Sequence, residues 1–365
     1  MKPKLPKHIV VSDCEGPISI NDNAYELAAH FIPNGETLFS NLSCYDDVLA
    51  DIVHKSGYSV GSTLRLILPF FKAYNLTDQQ LEEFCTQNIA LLPHITDTLN
   101  YINGIAEVFI VSTSYEHYIK ALCKTLNFPY KNTYCTKVSL DKYPLNPQEQ
   151  TRLKELAQEI VQMPKITIPP NARSLDDFPA TDQATIQRLD EIFWVELPKT
   201  SAGKLLTEVV TIGGQQKAEA ICDAAKRTGT QLSNVMYVGD SITDVEAFKL
   251  VRESGGLAVS FNGNAYAVRN AGVSVLSEST LATAALAELF CRVDNKKLLL
   301  LVRVWCKEVL TKNSLSSMSM IRPFTVYPST LPEVQVITPK NMEKIVQKSC
   351  AFREKIRGEN IGRLG

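Results

Sequence analysis

Acidic side chains stand where this chain has no structural use for them. In Ile9-Val-Val-Ser-Asp-Cys-Glu-Gly-Pro17, an apolar run ends at Asp13, and Glu15 sits immediately before a Gly-Pro break. Two carboxylates so close repel each other unless a cation or a proton lies between them. A second apolar run ends in Ser112-Thr113-Ser114, and a third in Gly239-Asp240-Ser241 with Asp244 just beyond. Lys217 follows Gly213-Gly214-Gln215-Gln216 at the start of a helical pattern; taken alone, such a lysine is more often a solvated helix-start residue. Carboxylates from two strand ends and a following helix make an oxygen-rich site suited to a hard cation such as Mg²⁺. A hydroxyl and an ammonium beside them suit the oxygens of phosphate.

Those residues converge only if the runs that carry them are neighbouring strands. Ile9–Ser12, Val108–Ser112, Val235–Gly239 and Leu257–Phe261 read as buried parallel strands with helical patterns between them. The alternation implies an α/β fold with a doubly wound parallel sheet, in which ligands bind at the carboxyl ends of the strands. The stretch between the first two strands is too long for one crossover and is expected to be an inserted helical domain. Within it, Thr77-Asp-Gln-Gln80 is a capping box for a helix over 78–90, and Tyr45–Lys55 and Thr63–Tyr74 have helical spacing, the latter interrupted by Pro69. A second insertion spans about 141–200, opened by the helix start Asn146-Pro147-Gln148-Glu149, and Leu205–Ile212 reads as strand-like. After the sheet, helices are expected at Asp294–Thr311 and from Thr338-Pro339 to Gly358, with a proline-punctuated connector at Arg322–Pro332.

The order and spacing of these pieces resemble the haloacid dehalogenase-like (HAD) superfamily, most of whose members are Mg²⁺-dependent phosphohydrolases with a Rossmann-type core. The matching motifs are Asp13-Cys14-Glu15-Gly16-Pro17, Ser112, Lys217 and Gly239-Asp240-Ser241-Ile242-Thr243-Asp244, within residues 8–20 and 105–275. The resemblance implies Asp13 as nucleophile and Glu15 as general acid and base, with Ser112 and Lys217 on the phosphoryl oxygens. It implies a Mg²⁺ site formed by the Asp13 carboxylate, the Glu15 carbonyl and Asp240, with Asp244 orienting the ion's water ligands. With the helical insertion after the first strand as its cap, the chain is expected to divide into a HAD-like core at 1–20 and 96–290 with a further insertion at about 141–200, a helical cap at 21–95, and a helical C-terminal extension at 291–365. The cap position is similar to that of the phosphoserine phosphatase-like branch. Asp13-Cys-Glu-Gly-Pro followed by Ile18-Ser-Ile-Asn-Asp-Asn-Ala24 also resembles a small archaeal and bacterial group, the energy-converting hydrogenase A subunit R-like proteins. Two positions depart from the common pattern: Glu15 replaces the usual Asp, and Pro17 the usual Thr.

Two functions follow from different classes. One is a phosphatase acting on a small phosphorylated metabolite. The other is an accessory or binding subunit of a larger complex, with catalysis weakened at Glu15 and Pro17. A phosphotransferase is a third. The C-terminal extension is either packing for the sheet or a surface for a protein partner or a second copy of the chain. Composition excludes other classes: among 365 residues the net charge is −1 with basic and acidic residues mixed, so no nucleic-acid footprint is present. No apolar run approaches the roughly 20 residues of a membrane span, and no secretory leader is evident, so a cytoplasmic protein is expected. Nine scattered cysteines without a CxxC pair read as reduced core residues, and five unclustered histidines, His117 nearest a motif, as surface or cap-related groups.

Overall fold

The computed structural model describes residues 7–306 and 331–362. Its strands are β1 (Ile9–Ser12), β2 (Glu107–Tyr115), β3 (Thr133–Thr136), β4 (Val235–Gly239), β5 (Leu257–Phe261), β6 (Val273–Leu276) and β7 (Glu333–Val336). They form one sheet in the order β3-β2-β1-β4-β5-β6-β7. All pairings are parallel except that of β7, which runs antiparallel to β6. This is the doubly wound α/β sheet expected from the alternating pattern, with β1 inside it between β2 and β4. β3, β6 and β7 were not foreseen, because runs as short as Thr133-Tyr-Cys-Thr136 carry little apolar signal.

Alternation along β1 explains why both faces must be covered. Val10 joins an apolar cluster with Ile102, Leu122 and Leu286, while Ile9 and Val11 join another with Ile221, Ala224 and Phe248. Successive strand residues point to opposite faces, so an all-apolar strand is stable only between two helical layers.

Helices from Asn23–Phe31 to Ile95–Asn103 fill the β1–β2 connection, and Pro147–Gln162, Ala180–Glu191 and Gly203–Glu208 lie between β3 and β4. The two groups share one apolar cluster that includes Leu42, Tyr45, Phe70, Leu153, Ile160 and Phe193. The Phe193 ring lies 5.8 Å from that of Tyr45 and 6.1 Å from that of Phe70. Trp194 Nε1 donates to the Tyr45 hydroxyl at 2.8 Å, and Asn41 Nδ2 donates to the Ile160 carbonyl at 2.9 Å. The stretch around 141–200 thus packs into the same core as the helices that follow β1.

Local details follow the chain's chemistry. Helix Thr63–Leu66 gives way to Leu68–Ala73 beside Pro69, which has no N–H to continue the ladder. The strand reading of Leu205–Ile212 is corrected: Gly203–Glu208 is a helix whose Leu205 and Leu206 enter the shared apolar cluster, and the residues after it are irregular. Beyond β6, helix Asn295–Arg303 lies within the stretch 294–311 read as helical, and residues 307–311 of that stretch fall outside the described residues, as does most of the 322–332 connector. The last long helix is Met342–Arg357, packed through Ile345 and Val346 against Val268. No described helix is long and apolar enough to cross a membrane.

A shared core makes a joint prediction. Phe193→Ala should cost about 3–5 kcal/mol of packing. In hydrogen exchange it should lower protection in both Gly35–Asp47 and Pro147–Gln162. Loss confined to one of these helices would show that the two groups do not share a core.

Candidate active site

The carboxyl end of β1 is held on both sides of Asp13. The Asp13 N–H donates to the Val238 carbonyl of β4 at 2.8 Å, and the Cys14 N–H donates to Asp13 Oδ1 at 2.7 Å. The turn that follows closes with the Gly16 N–H on the Ser19 carbonyl at 2.7 Å. Gly16 has φ +99°, and a Cβ there would lie 2.1 Å from Asp240 Oδ2. A side chain at Gly16 is therefore excluded twice, by the left-handed backbone and by the Asp240 carboxylate.

Asp240 and Asp244 follow β4. Asp244 Oδ2 accepts from the N–H groups of Asp240 at 2.8 Å and Ser241 at 3.0 Å. Its Oδ1 accepts from the Tyr237 hydroxyl at 2.6 Å and from Lys217 Nζ at 2.7 Å. Gly239 makes room for this arrangement, since a Cβ there would lie 2.5 Å from Asp244 Cγ. Lys217, in the first turn of helix Gln215–Thr228, also donates to Asp13 Oδ2 at 2.6 Å and has no solvent exposure. It is not a solvated helix-start residue.

Oxygens of Asp13, Asp240 and Asp244 all lie within 4.8 Å of one another. Burial raises the pKa of Asp13 to about 8, against the lowering effect of Lys217 and with help from Asp244 and Asp240. Burial opposes the charge on Lys217, but Asp13 and Asp244 hold its pKa above the usual lysine value. Asp244 is buried as well, yet Lys217 and its hydrogen bonds hold it below the usual carboxylate range. The all-oxygen donor set of the three clustered carboxylates fits a hard divalent cation. With both Asp244 oxygens occupied by four donors, Asp13 and Asp240 are the carboxylates placed to ligate it directly.

Glu15 reaches the other way. Its Oε1 accepts from the Asn23 N–H at 2.9 Å, at the start of the first helix after β1. Enclosure, with Asp22 beside it, raises its pKa to about 8, against the effects of the Asn23 N–H and Arg357. Glu15 lines a cavity of about 90 Å³ together with Asp13, Asp240, Asp46, Thr63 and Thr113. Ser112 is fully buried, and its Oγ accepts from the Ser114 N–H at 3.1 Å. The next residue, Thr113, is the one from β2 that lines the cavity. His117 lies away from the cavity, 4.0 Å from Asp78.

Three participants escaped the sequence reading. Tyr237 looked like an ordinary core residue of β4. Arg353 and Arg357, on the final helix, both contact Asp240 Oδ2, Arg357 at 3.0 Å. Their only sequence signal is an i, i+4 spacing, which places them on one helix face.

A family model for haloacid dehalogenase-like hydrolases matches residues 110–288. A gene product of Archaeoglobus fulgidus has a similar structure, with a TM-score of 0.77 at 24% identity over 98% of this chain and 99% of that one. An apo phosphoserine phosphatase aligns with a TM-score of 0.43 at 12% identity, over 79% of this chain and 100% of its own. A substrate-bound phosphoserine phosphatase complex gives 0.45 at 13% identity, over 76% and 96%. No curated protein matches the sequence.

The burial of Asp13 has a pH signature. Asp13 ordinarily titrates near 3.8 and here near 8, so between those values the folded metal-free protein holds a proton that the unfolded chain has released. Stability contributed by the protonated form is complete at the low end of that window and is lost as pH rises through it. Metal-free protein should therefore melt at lower temperature at pH 8 than at pH 5, and Asp13→Asn should flatten the slope. Equal slopes for the two proteins in thermal denaturation would remove Asp13 as its source.

Proposed function

Since the chain belongs to the haloacid dehalogenase-like superfamily, we propose that it is a Mg²⁺-dependent phosphohydrolase that cleaves a small phosphomonoester through an aspartyl-phosphate at Asp13. The observation that carries this reading is the Asp13 carboxylate at the end of β1, with Lys217 Nζ 2.6 Å from Oδ2 and the other two clustered aspartates beside it. Asp13, Asp240 and the Glu15 carbonyl would hold the ion, and Asp244 would fix Lys217 and the ion's water. The ion would neutralise charge on the transferring phosphoryl group and keep Asp13 ionised.

The rest is performed by the chain's own groups. An Asp13 carboxylate oxygen forms a bond to phosphorus in line with the ester oxygen, whose bond to phosphorus breaks. Glu15, protonated in the enclosed cavity, gives its proton to that leaving oxygen and becomes a carboxylate. It then takes a proton from water as the water oxygen attacks phosphorus, releasing inorganic phosphate and restoring Asp13. Lys217 and a β2 hydroxyl, Ser112 by motif or Thr113 by its place in the cavity, would hold phosphoryl oxygens.

The helices of 21–95, packed with those of the insertion at about 141–200, act as a cap in this proposal, over a core formed by the rest of 1–20 and 96–290. The cavity takes Asp46, Gly61 and Thr63 from the 21–95 segment and Asp13, Glu15 and Asp240 from the strand ends, which supports a small substrate enclosed away from water.

Phosphate release from p-nitrophenyl phosphate and a panel of metabolite esters should require Mg²⁺ and disappear in Asp13→Asn. Glu15→Gln should lower kcat by about 10²–10⁴-fold. Glu15→Asp should also be slower than wild type, because Glu15 is fixed by the Asn23 N–H and a shorter acid would lose that contact. A faster Glu15→Asp would mean that the longer acid is a handicap. Mg²⁺ binding without turnover across the panel would favour the accessory-subunit function.

A further inference from the structure

The final helix, outside the residues matched by the hydrolase model, sends two guanidiniums into the candidate site. Arg353 is 2% exposed and the Arg357 side chain 5%. Arginines are rarely this buried without a countercharge. Each is anchored by backbone carbonyls: Arg353 Nε donates to Gly362 O at 3.1 Å and Nη1 to Asp240 O at 3.2 Å. Arg357 Nε donates to Ile20 O at 2.8 Å and Nη2 to Asn21 O at 3.3 Å. Carbonyls orient the guanidiniums but supply no charge. The ion pairs of both arginines are with one carboxylate oxygen, Asp240 Oδ2.

Asp240 is also one of the three clustered carboxylates that fit a divalent cation. One carboxylate cannot balance two guanidiniums and a dication. When a cation takes Asp240, the guanidinium pair loses its ion-pair partner and is left buried and fixed in place beside the cavity that both residues line, with Asp22 and Glu15 the nearby carboxylates that remain. A phosphoryl dianion restores the balance, and its oxygens suit the fork geometry of arginine. Because Arg353 is almost fully buried, an incoming anion meets a poorly hydrated cation.

Building on the phosphohydrolase reading, we propose that Arg353 and Arg357 are phosphate-binding residues supplied by the C-terminal helix, engaging phosphoryl oxygens once a divalent cation occupies Asp240. The C-terminal extension then completes the active site, and a chain without it would hold a cation but bind phosphate weakly.

The test is calorimetric binding of inorganic phosphate to the full-length protein at saturating Mg²⁺, with Mg²⁺ affinity measured separately. Arg353→Gln and Arg357→Gln should each weaken phosphate binding by about tenfold or more while leaving Mg²⁺ affinity equal or higher. Arg353→Lys and Arg357→Lys, which keep charge but lose the fork, should fall between. Lys355→Gln, on an exposed residue paired with Glu278, should match wild type. If a glutamine variant does not fold, the lysine variants carry the same comparison. Folded arginine variants within twofold of wild type for phosphate would reduce both residues to helix anchors, and a drop in Mg²⁺ affinity would contradict the shared use of Asp240. Wild-type protein that binds Mg²⁺ but not phosphate overturns the proposal. Arginine-dependent phosphate binding without turnover of any ester would sustain it while removing the hydrolase reading.

Discussion

The candidate site depends on one buried ammonium. Lys217 has no exposure, and its charge is supported by Asp13 and Asp244 at 2.6 and 2.7 Å. An unpaired charge at such depth would cost several kcal/mol, so the contacts constrain where the surrounding elements can sit. They tie the first turn of Gln215–Thr228 to the end of β1, 204 residues earlier in the chain, and to the turn after β4. Removing either carboxylate leaves a buried lysine with half its countercharge. Removing the lysine leaves Asp13 and Asp244 without the ammonium that pairs both of them.

The three aspartates do not play equal parts around that ammonium. Asp244 spends four acceptor positions on Lys217, Tyr237 and two backbone N–H groups, which makes it a fixed post. Asp13 is pinned through Oδ1 by the Cys14 N–H and through Oδ2 by Lys217. Asp240 is the exchangeable member, with its carboxylate pressed against Gly16 on one side and contacted by arginines on the other. That division explains why glycine is needed at 16 and 239: both residues leave room for a carboxylate that closes the site.

Much of this was legible in the sequence, and the limits have physical reasons. Asp13, Glu15 and Asp240 stood out because charged residues at the ends of apolar runs conflict with local preference, whereas Lys217 and Asp244 were marked by their place in the family's motif order. The doubly wound sheet followed from the same runs. Ser112 was legible as a strand-end hydroxyl, but which of Ser112 and Thr113 faces the cavity depends on the side-chain alternation at the end of β2, which no motif states. β7 and the two arginines were hidden for a different reason. A basic residue on a charged helix looks like solvated surface until the tertiary fold buries it, and the face that Arg353 and Arg357 share has meaning only once Asp240 lies opposite.

The path of the chain after β6 explains how that burial comes about. β6 runs parallel to the strands that deliver Asp13 and Asp240, and β7 returns antiparallel beside it, away from the site. The backbone then turns at Thr338–Asn341, where Asn341 Oδ1 accepts from the Thr338 N–H and hydroxyl. The helix Met342–Arg357 that follows must run back toward the carboxyl ends of the strands, so its last turns, not its first, reach the cavity. Helix C-termini favour cations, because their final carbonyls carry the negative end of the helix dipole. An arginine pair is thus the charge that this helix end can best present to a cluster of carboxylates. A single antiparallel strand added to the sheet edge converts a terminal extension into a wall of the site.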